Sequence, residues 1–120
     1  MGSHMYVLDA DGNPVPEPSV AAWGEWYGTT DCSVARTDIG ESTISTVFLG
    51  TDHRFGGNGA APILWESLVF EGPLKDEMNR YTSREAALAG HEAIVDRVKH
   101  ATFGQEWYDA YVAEKKARRS

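Results

Sequence analysis

Thr43-Ile44-Ser45-Thr46-Val47-Phe48-Leu49 is the stretch on which the fold turns. Most of its residues are β-branched or aromatic, the types that fit a pleated, half-buried surface, so it reads as a strong strand. Gly40-Glu41 before it is a turn, and Ser33 to Ile39 before that is a moderate strand, which makes an antiparallel hairpin. A glycine-rich loop, Gly50 to Ala61, leads on to a second strong strand at Ile63 to Phe70. There Leu64, Glu66, Leu68 and Phe70 face one way and Ile63, Trp65, Ser67 and Val69 the other. Gly72-Pro73 breaks that run, and a weaker edge strand is expected over Glu77 to Tyr81.

Outside the meander the periodicity changes from two to about 3.6. Thr82-Ser83-Arg84-Glu85 is a capping-box pattern and opens a helix over residues 83–101. Leu88, His91, Val95 and Val98 form its predicted inner stripe, widened by Ala87, Ile94 and Ala101. Gly104 interrupts it, and a third helix follows from Gln105 to Ala117. Phe103, Trp107 and Tyr111, at four-residue spacing, are predicted to pack inward on the same domain. Upstream, Tyr6 to Leu8 is a short strand, Asp9 to Asn13 a tight turn, and Pro14, Pro16 and Pro18 a stiff extended connector. Ser19 caps a helix over residues 19–28, closed by Gly28, in which Val20, Trp23 and Tyr27 share a face with Trp26 beside them. That face is predicted to pack on the sheet.

The expected class is therefore α+β: a three- to four-stranded antiparallel meander sheet, an N-terminal helix, and one or two C-terminal helices packed mainly on one face. Residues 1–5 (Met1-Gly2-Ser3-His4-Met5) read as an expression-tag remnant, 6–103 as a single domain, and 104–120 as an aromatic helix with a basic tail.

The net charge of −7 is unevenly spread. The last six residues hold four of the eleven basic side chains, which leaves seven against eighteen acids, a net −11, over residues 1–114. An acidic body repels phosphates, so the reading is no direct nucleic-acid binding and a partner protein with a basic surface. No apolar stretch approaches the roughly 18–20 residues of a membrane span. The expectation is a soluble, cytoplasmic protein without membrane contact. The single Cys32 allows no intramolecular disulfide and no cysteine-rich zinc site, and reads as a small apolar residue. The basic tail suits a helix C-terminus.

Asp52 and His53 follow the strongest strand and precede Gly56-Gly57-Asn58-Gly59. With Glu66 and His91 they are the weak catalytic candidates, a set able to supply an acid and a base or a nitrogen-and-oxygen metal site if they converge. Each also has a structural reading. Asp52 satisfies turn amides, His53 bonds within the loop, Glu66 pairs with Arg36 or Arg54, and His91 is a hydrogen-bonded histidine on an apolar stripe. The glycine run lacks the Lys-Ser/Thr of a phosphate loop and the spacing of a dinucleotide fingerprint, and Gly-x-Ser-x-Gly is absent. No cofactor and no metal are assigned.

Ser45-Thr46-Val47-Phe48-Leu49-Gly50, Asp52-His53, Phe55, Pro62-Ile63-Leu64-Trp65-Glu66, Val69-Phe70, Arg80-Tyr81 and Ala89-Gly90-His91 together resemble a group of small proteins encoded by tailed phages and prophages. The resemblance spans about residues 6–98 and carries no catalytic signature. It implies an accessory protein in a bacterial cytoplasm, acting by stoichiometric contact with a host or defence protein, as some inhibitors of CRISPR systems do. Candidate contacts are Asp9, Asp11, Glu17, Asp38 and Glu41, with exposed parts of Trp23, Trp26, Trp107 and Tyr111. The alternatives are a small metal-dependent or acid-base enzyme on Asp52, His53, Glu66 and His91, and a homo-oligomeric virion or assembly protein pairing through its C-terminal helix.

Overall fold

The computed structural model describes residues 4–53 and 61–119. Arg54, the Gly56–Gly59 run and the first three residues of the expected tag remnant lie outside these residues.

The β-branched stretch forms β4 (Ser42–Phe48), paired on one side with β3 (Ser33–Ile39) and on the other with β5 (Trp65–Phe70), while β6 (Met78–Tyr81) closes the edge. All pairs are antiparallel, in the order β3-β4-β5-β6, the predicted meander. Burial alternates along β4 and β5. Ser42, Ile44, Thr46 and Phe48 face inward with Trp65, Ser67 and Val69. Leu64 departs from the alternation: expected to share a face with Glu66, it lies just before β5 and is as buried as Trp65.

The proline segment is not a connector. Pro14–Pro16 forms β2, paired with β1 (Tyr6–Leu8) in a separate two-stranded sheet. Backbone bonds from Asp9 to Asn13 and from Glu17 to Met5 flank the pair, so the hydrogen-bonding positions are the odd ones and Val15 sits opposite Val7. Pro14 and Pro16 occupy the positions between, where no amide donor is needed. Asp9 closes the hairpin by accepting the amides of Asp11 and Asn13, each at 2.9 Å. Met5 is buried and bridges Thr51, and the His4 carbonyl accepts the Asp52 amide.

α1 (Val20–Thr29) is capped by Ser19 and runs one residue past Gly28. Its aromatic side meets the sheet as expected: Trp26 lies edge-on to Phe48, with centroids 6.1 Å apart, and Trp23 Nε1 donates to the carbonyls of Gly50 and Tyr6. Gly50 has φ 76°, and a Cβ there would come within 2.7 Å of the Tyr27 ring, so both conformation and space require glycine. Val20 differs from the prediction. It is 71 % exposed, because the aromatic residues farther along the helix make the contact.

α2 (Arg84–Phe103) covers the inner face and contacts all four strands of the meander. Ala87, His91, Ile94, Val95 and Val98 are buried. Leu88 and Ala101, expected on the stripe, are exposed, since the contact line runs through Ala87 and His91 instead. One apolar cluster gathers Ile39, Ile44, Val69, Ile94, Val95 and Val98; a second gathers Phe48, Leu64, Trp65 and Ala87.

α3 (Gln105–Arg119) corrects the inward-packing expectation. Gly104, at φ 90°, separates it from α2, and among the elements it contacts α2 alone. None of its residues is buried. Phe103, Trp107 and Tyr111 do stack on one another, at 4.7 and 5.1 Å, but only Tyr111 is tied down, donating to Asp96 and accepting from Lys99. The sheet's inner face is already covered by α2, so α3 meets only α2 and has no place on that face.

Gly90 of α2 lies directly against Tyr81 of β6, where a Cβ would overlap the phenol ring. Gly90→Ala therefore destabilises the protein by about 1–3 kcal/mol in urea unfolding, despite alanine's better helix propensity. Unchanged or raised stability would show that the contact yields freely.

Candidate functional site

The one buried histidine sits where the two apolar clusters meet. Along β4 Thr46 lies between Ile44 and Phe48, and along β5 Ser67 lies between Trp65 and Val69. Thr46 and Ser67 are register partners, and His91 comes down onto them from α2. Tyr81 OH donates to Ser67 Oγ at 3.1 Å, Ser67 and Thr46 are bonded at 2.5 Å, Thr46 Oγ1 meets His91 Nδ1 at 2.7 Å, and Thr37 Oγ1 meets His91 Nε2 at 2.9 Å. Each hydroxyl owns one proton. With Tyr81 donating to Ser67, a chain running one way satisfies every member: Ser67 donates to Thr46, Thr46 to Nδ1, and Nε2–H to Thr37. That ordering assigns the proton of a neutral ring to Nε2.

Electrostatics agree with the assignment. Burial pushes the His91 pKa below its ordinary value of 6.5, opposed by the nearby Glu92 carboxylate. The side chains that bond its ring, Thr37 and Thr46, are uncharged. A relay with both imidazole nitrogens held by threonines orients the ring and leaves it no free edge for a substrate.

The other candidates lie elsewhere. Glu66 projects from the opposite face of the sheet from His91, paired across β5 and β6 with Arg80 at 3.0 Å. The expected partner Arg36 is instead beside Asp38, two strands away, because register sets Arg80 against Glu66. Asp52 Oδ1 accepts the Ile63 amide at 3.0 Å, and exposed His53 meets Thr51 Oγ1 at 3.1 Å. Asp52, His53, Glu66 and His91 are thus not gathered into one site. Among the described residues, no three His, Cys, Asp or Glu side chains come together in a group able to hold a metal ion. Cys32 is half-buried, and burial together with Asp31 pushes its thiol pKa up, away from the reactive thiolate.

The predicted contact residues divide by exposure. Asp9, Asp11, Asp38 and Glu41 are exposed and Glu17 is half-buried. Asp38 accepts the Thr43 hydroxyl at 2.7 Å, which together with Arg36 holds its carboxyl below the usual range. Trp23 and Trp26 are half-buried in the contacts of α1, Tyr111 is half-buried against α2, and Trp107 is 39 % exposed.

A further surface was not singled out from the sequence. Among the described residues, no helix lies over the outer face of the sheet. Val47 and Leu68 are half-buried there, Phe70 is 48 % exposed and Met78 44 %. Asp38, Thr43 and Phe70 form one row across the strands, so this apolar patch runs directly to the acidic β3–β4 turn. The signal was present in the alternation that put Leu68 and Phe70 on one face; what was missing was knowledge that all helices gather on the other.

No protein-family model matches the chain, and no curated protein or solved structure matches it. No helix among the described residues is long and apolar enough to cross a membrane.

The folded-state pKa of His91 lies below the unfolded value, so as pH falls the unfolded chain takes the proton first. Stability is full above about pH 6.5 and is lost as the pH drops toward the lowered folded value. Urea midpoints measured from about pH 7.5 to about 5 fall for the wild type, and fall less steeply for His91→Gln, which does not titrate there. Identical slopes in the two proteins would remove His91 as the source.

Proposed function

We propose that the chain acts by stoichiometric binding to a protein with a basic surface and performs no chemistry of its own. In the phage or prophage setting that the sequence resemblance implies, this partner is a host or defence protein whose basic surface otherwise meets nucleic acid. The observation that carries the reading is the contrast between the two faces of the sheet. His91 is locked inside, whereas the outer face presents Leu68, Phe70 and Met78 beside the acids of the β3–β4 turn. An apolar centre with a charged rim is the anatomy of a protein interface. On this face Arg36 pairs with Asp38 and Arg80 with Glu66, so the excess acid is Glu41 of the β3–β4 turn, and that sign favours a cationic partner.

The test immobilises the chain and passes nuclease-treated bacterial lysate over it. A protein retained near one-to-one by the wild type and by His53→Ala, but bound at least about tenfold more weakly by Asp38→Lys/Glu41→Lys, is the expected result. Equal retention by the charge-reversed variant, or loss with His53→Ala, would sink the reading.

A second reading, self-association through α3, rests on the exposure of Phe103 at 47 % and Trp107 at 39 % on a helix that touches only α2. On sizing chromatography the full chain then elutes as a dimer and a chain lacking residues 105–120 as a monomer. The same monomeric elution for both would remove it.

A further inference from the structure

β3 is an edge strand, and among the described elements it contacts only β4 and α2. Which of its backbone groups face the open edge follows from the ladder. The Leu49 amide donates to the Leu64 carbonyl in the register that pairs Ser45 with Leu68, so the odd residues of β4 bond to β5 and the even ones to β3. Ala35, Thr37 and Ile39, opposite Thr46, Ile44 and Ser42, therefore turn their N–H and C=O groups toward β4. Arg36 and Asp38 turn theirs outward, to an edge along which no described element lies.

The regular part of this strand is short and has a natural midpoint. A register shift interrupts it between Ser33 and Ala35, and the Gly40–Glu41 turn ends it after Ile39, so the run 35–39 is centred on Thr37. Arg36 and Asp38 flank that centre with their side chains on the outer face, 66 % and 61 % exposed. In an antiparallel pair, two residues that oppose each other either both bond across the seam or both do not. A second copy of the run can therefore pair with the first only about a residue, not between two. Registers about Arg36 or Asp38 leave part of the run unpaired and set like charges opposite each other. The register about Thr37 pairs all of 35–39 and sets each Arg36 opposite an Asp38.

We propose that two copies of the chain join antiparallel through β3, about a two-fold axis at Thr37, so that their four-stranded sheets become one continuous sheet. Arg36 of each copy exchanges both backbone bonds with Asp38 of the other, and the four side chains alternate in charge across the seam. Thr37 opposes its own copy without a ladder bond and keeps its hydroxyl on His91. The contact is small, which makes the dimer a weak one. Leu68, Phe70 and Met78 lie on β5 and β6, away from the seam, so the pairing neither requires nor excludes a basic partner on the outer face.

The experiment sediments the full chain over about a hundredfold range of concentration and follows amide exchange residue by residue in the same samples. A monomer–dimer equilibrium is expected, with the Arg36 and Asp38 amides fast to exchange in dilute protein and protected as the dimer forms. In a dimer made through α3 those two amides stay open, so protection there separates the two modes of pairing. Arg36→Asp and Asp38→Arg each weaken self-pairing by at least about tenfold, because each sets like charges opposite each other. Mixed one to one, the two variants pair with each other about as tightly as the wild type with itself, since every aspartate then faces an arginine. Both side chains are exposed, so the variants keep the fold, which their urea unfolding verifies. A chain that stays monomeric throughout, a dimer in which the two amides remain unprotected, or a mixture of folded variants that does not restore pairing would overturn the proposal.

Discussion

One hydrogen-bonded chain crosses the interior from edge to edge: Tyr81 of β6, Ser67 of β5, Thr46 of β4, His91 of α2 and Thr37 of β3. Each strand of the meander contributes one hydroxyl, and the helix contributes the group that joins them. Thr46, Ser67 and His91 are buried at 0–1 % exposure, so each unmade bond would leave a polar group away from water. The network is therefore demanding of register. Slipping β4 against β5 by one residue would turn Thr46 away from Ser67 and move the buried set of that strand to the other face.

The apolar clusters are arranged around this line. Ile44, Val69, Ile94 and Val98 pack on one side of it, Phe48, Leu64, Trp65 and Ala87 on the other. Apolar packing of this kind is tolerant of exchange, whereas a polar chain of five members has one arrangement that satisfies all of them. Gly90 belongs to the same constraint, since it lets α2 approach Tyr81 closely enough for the ring nitrogens of His91, one residue on, to reach Thr37 and Thr46. Gly50 does the corresponding service for α1, admitting Tyr27 and Trp23 against the strand end.

Much of the architecture was legible locally. Strand alternation in residues 42–48 and 65–70 and the break at Gly104 arise from interactions within a few residues of chain, and all are present; α2 starts one residue later than the Thr82–Glu85 capping box implies, with Ser83 taking the Ala86 amide. Misreadings came where a local pattern has two global uses. Prolines suit an extended connector or the non-bonding positions of an edge strand, and only pairing with β1 selected the second. Helical spacing shows that Phe103, Trp107 and Tyr111 share a side, but not whether a surface is left to receive it. The candidate site was misread for a related reason. Glu66 and His91 carry suitable groups, yet the strand parity that faces Ser67 inward faces Glu66 outward.

By itself the sequence determined the α+β class, the order of the meander strands and the helices around them, and the alternation along the two central strands, because these follow from periodicity and capping. Tertiary structure alone decided that His91 bonds Thr37 and Thr46, that Glu66 meets Arg80, and that among the described residues no helix covers the outer face of the sheet. Those facts depend on strand register and on which face the helices cover. Both are set by contacts between residues distant in the chain, on which local pattern is silent.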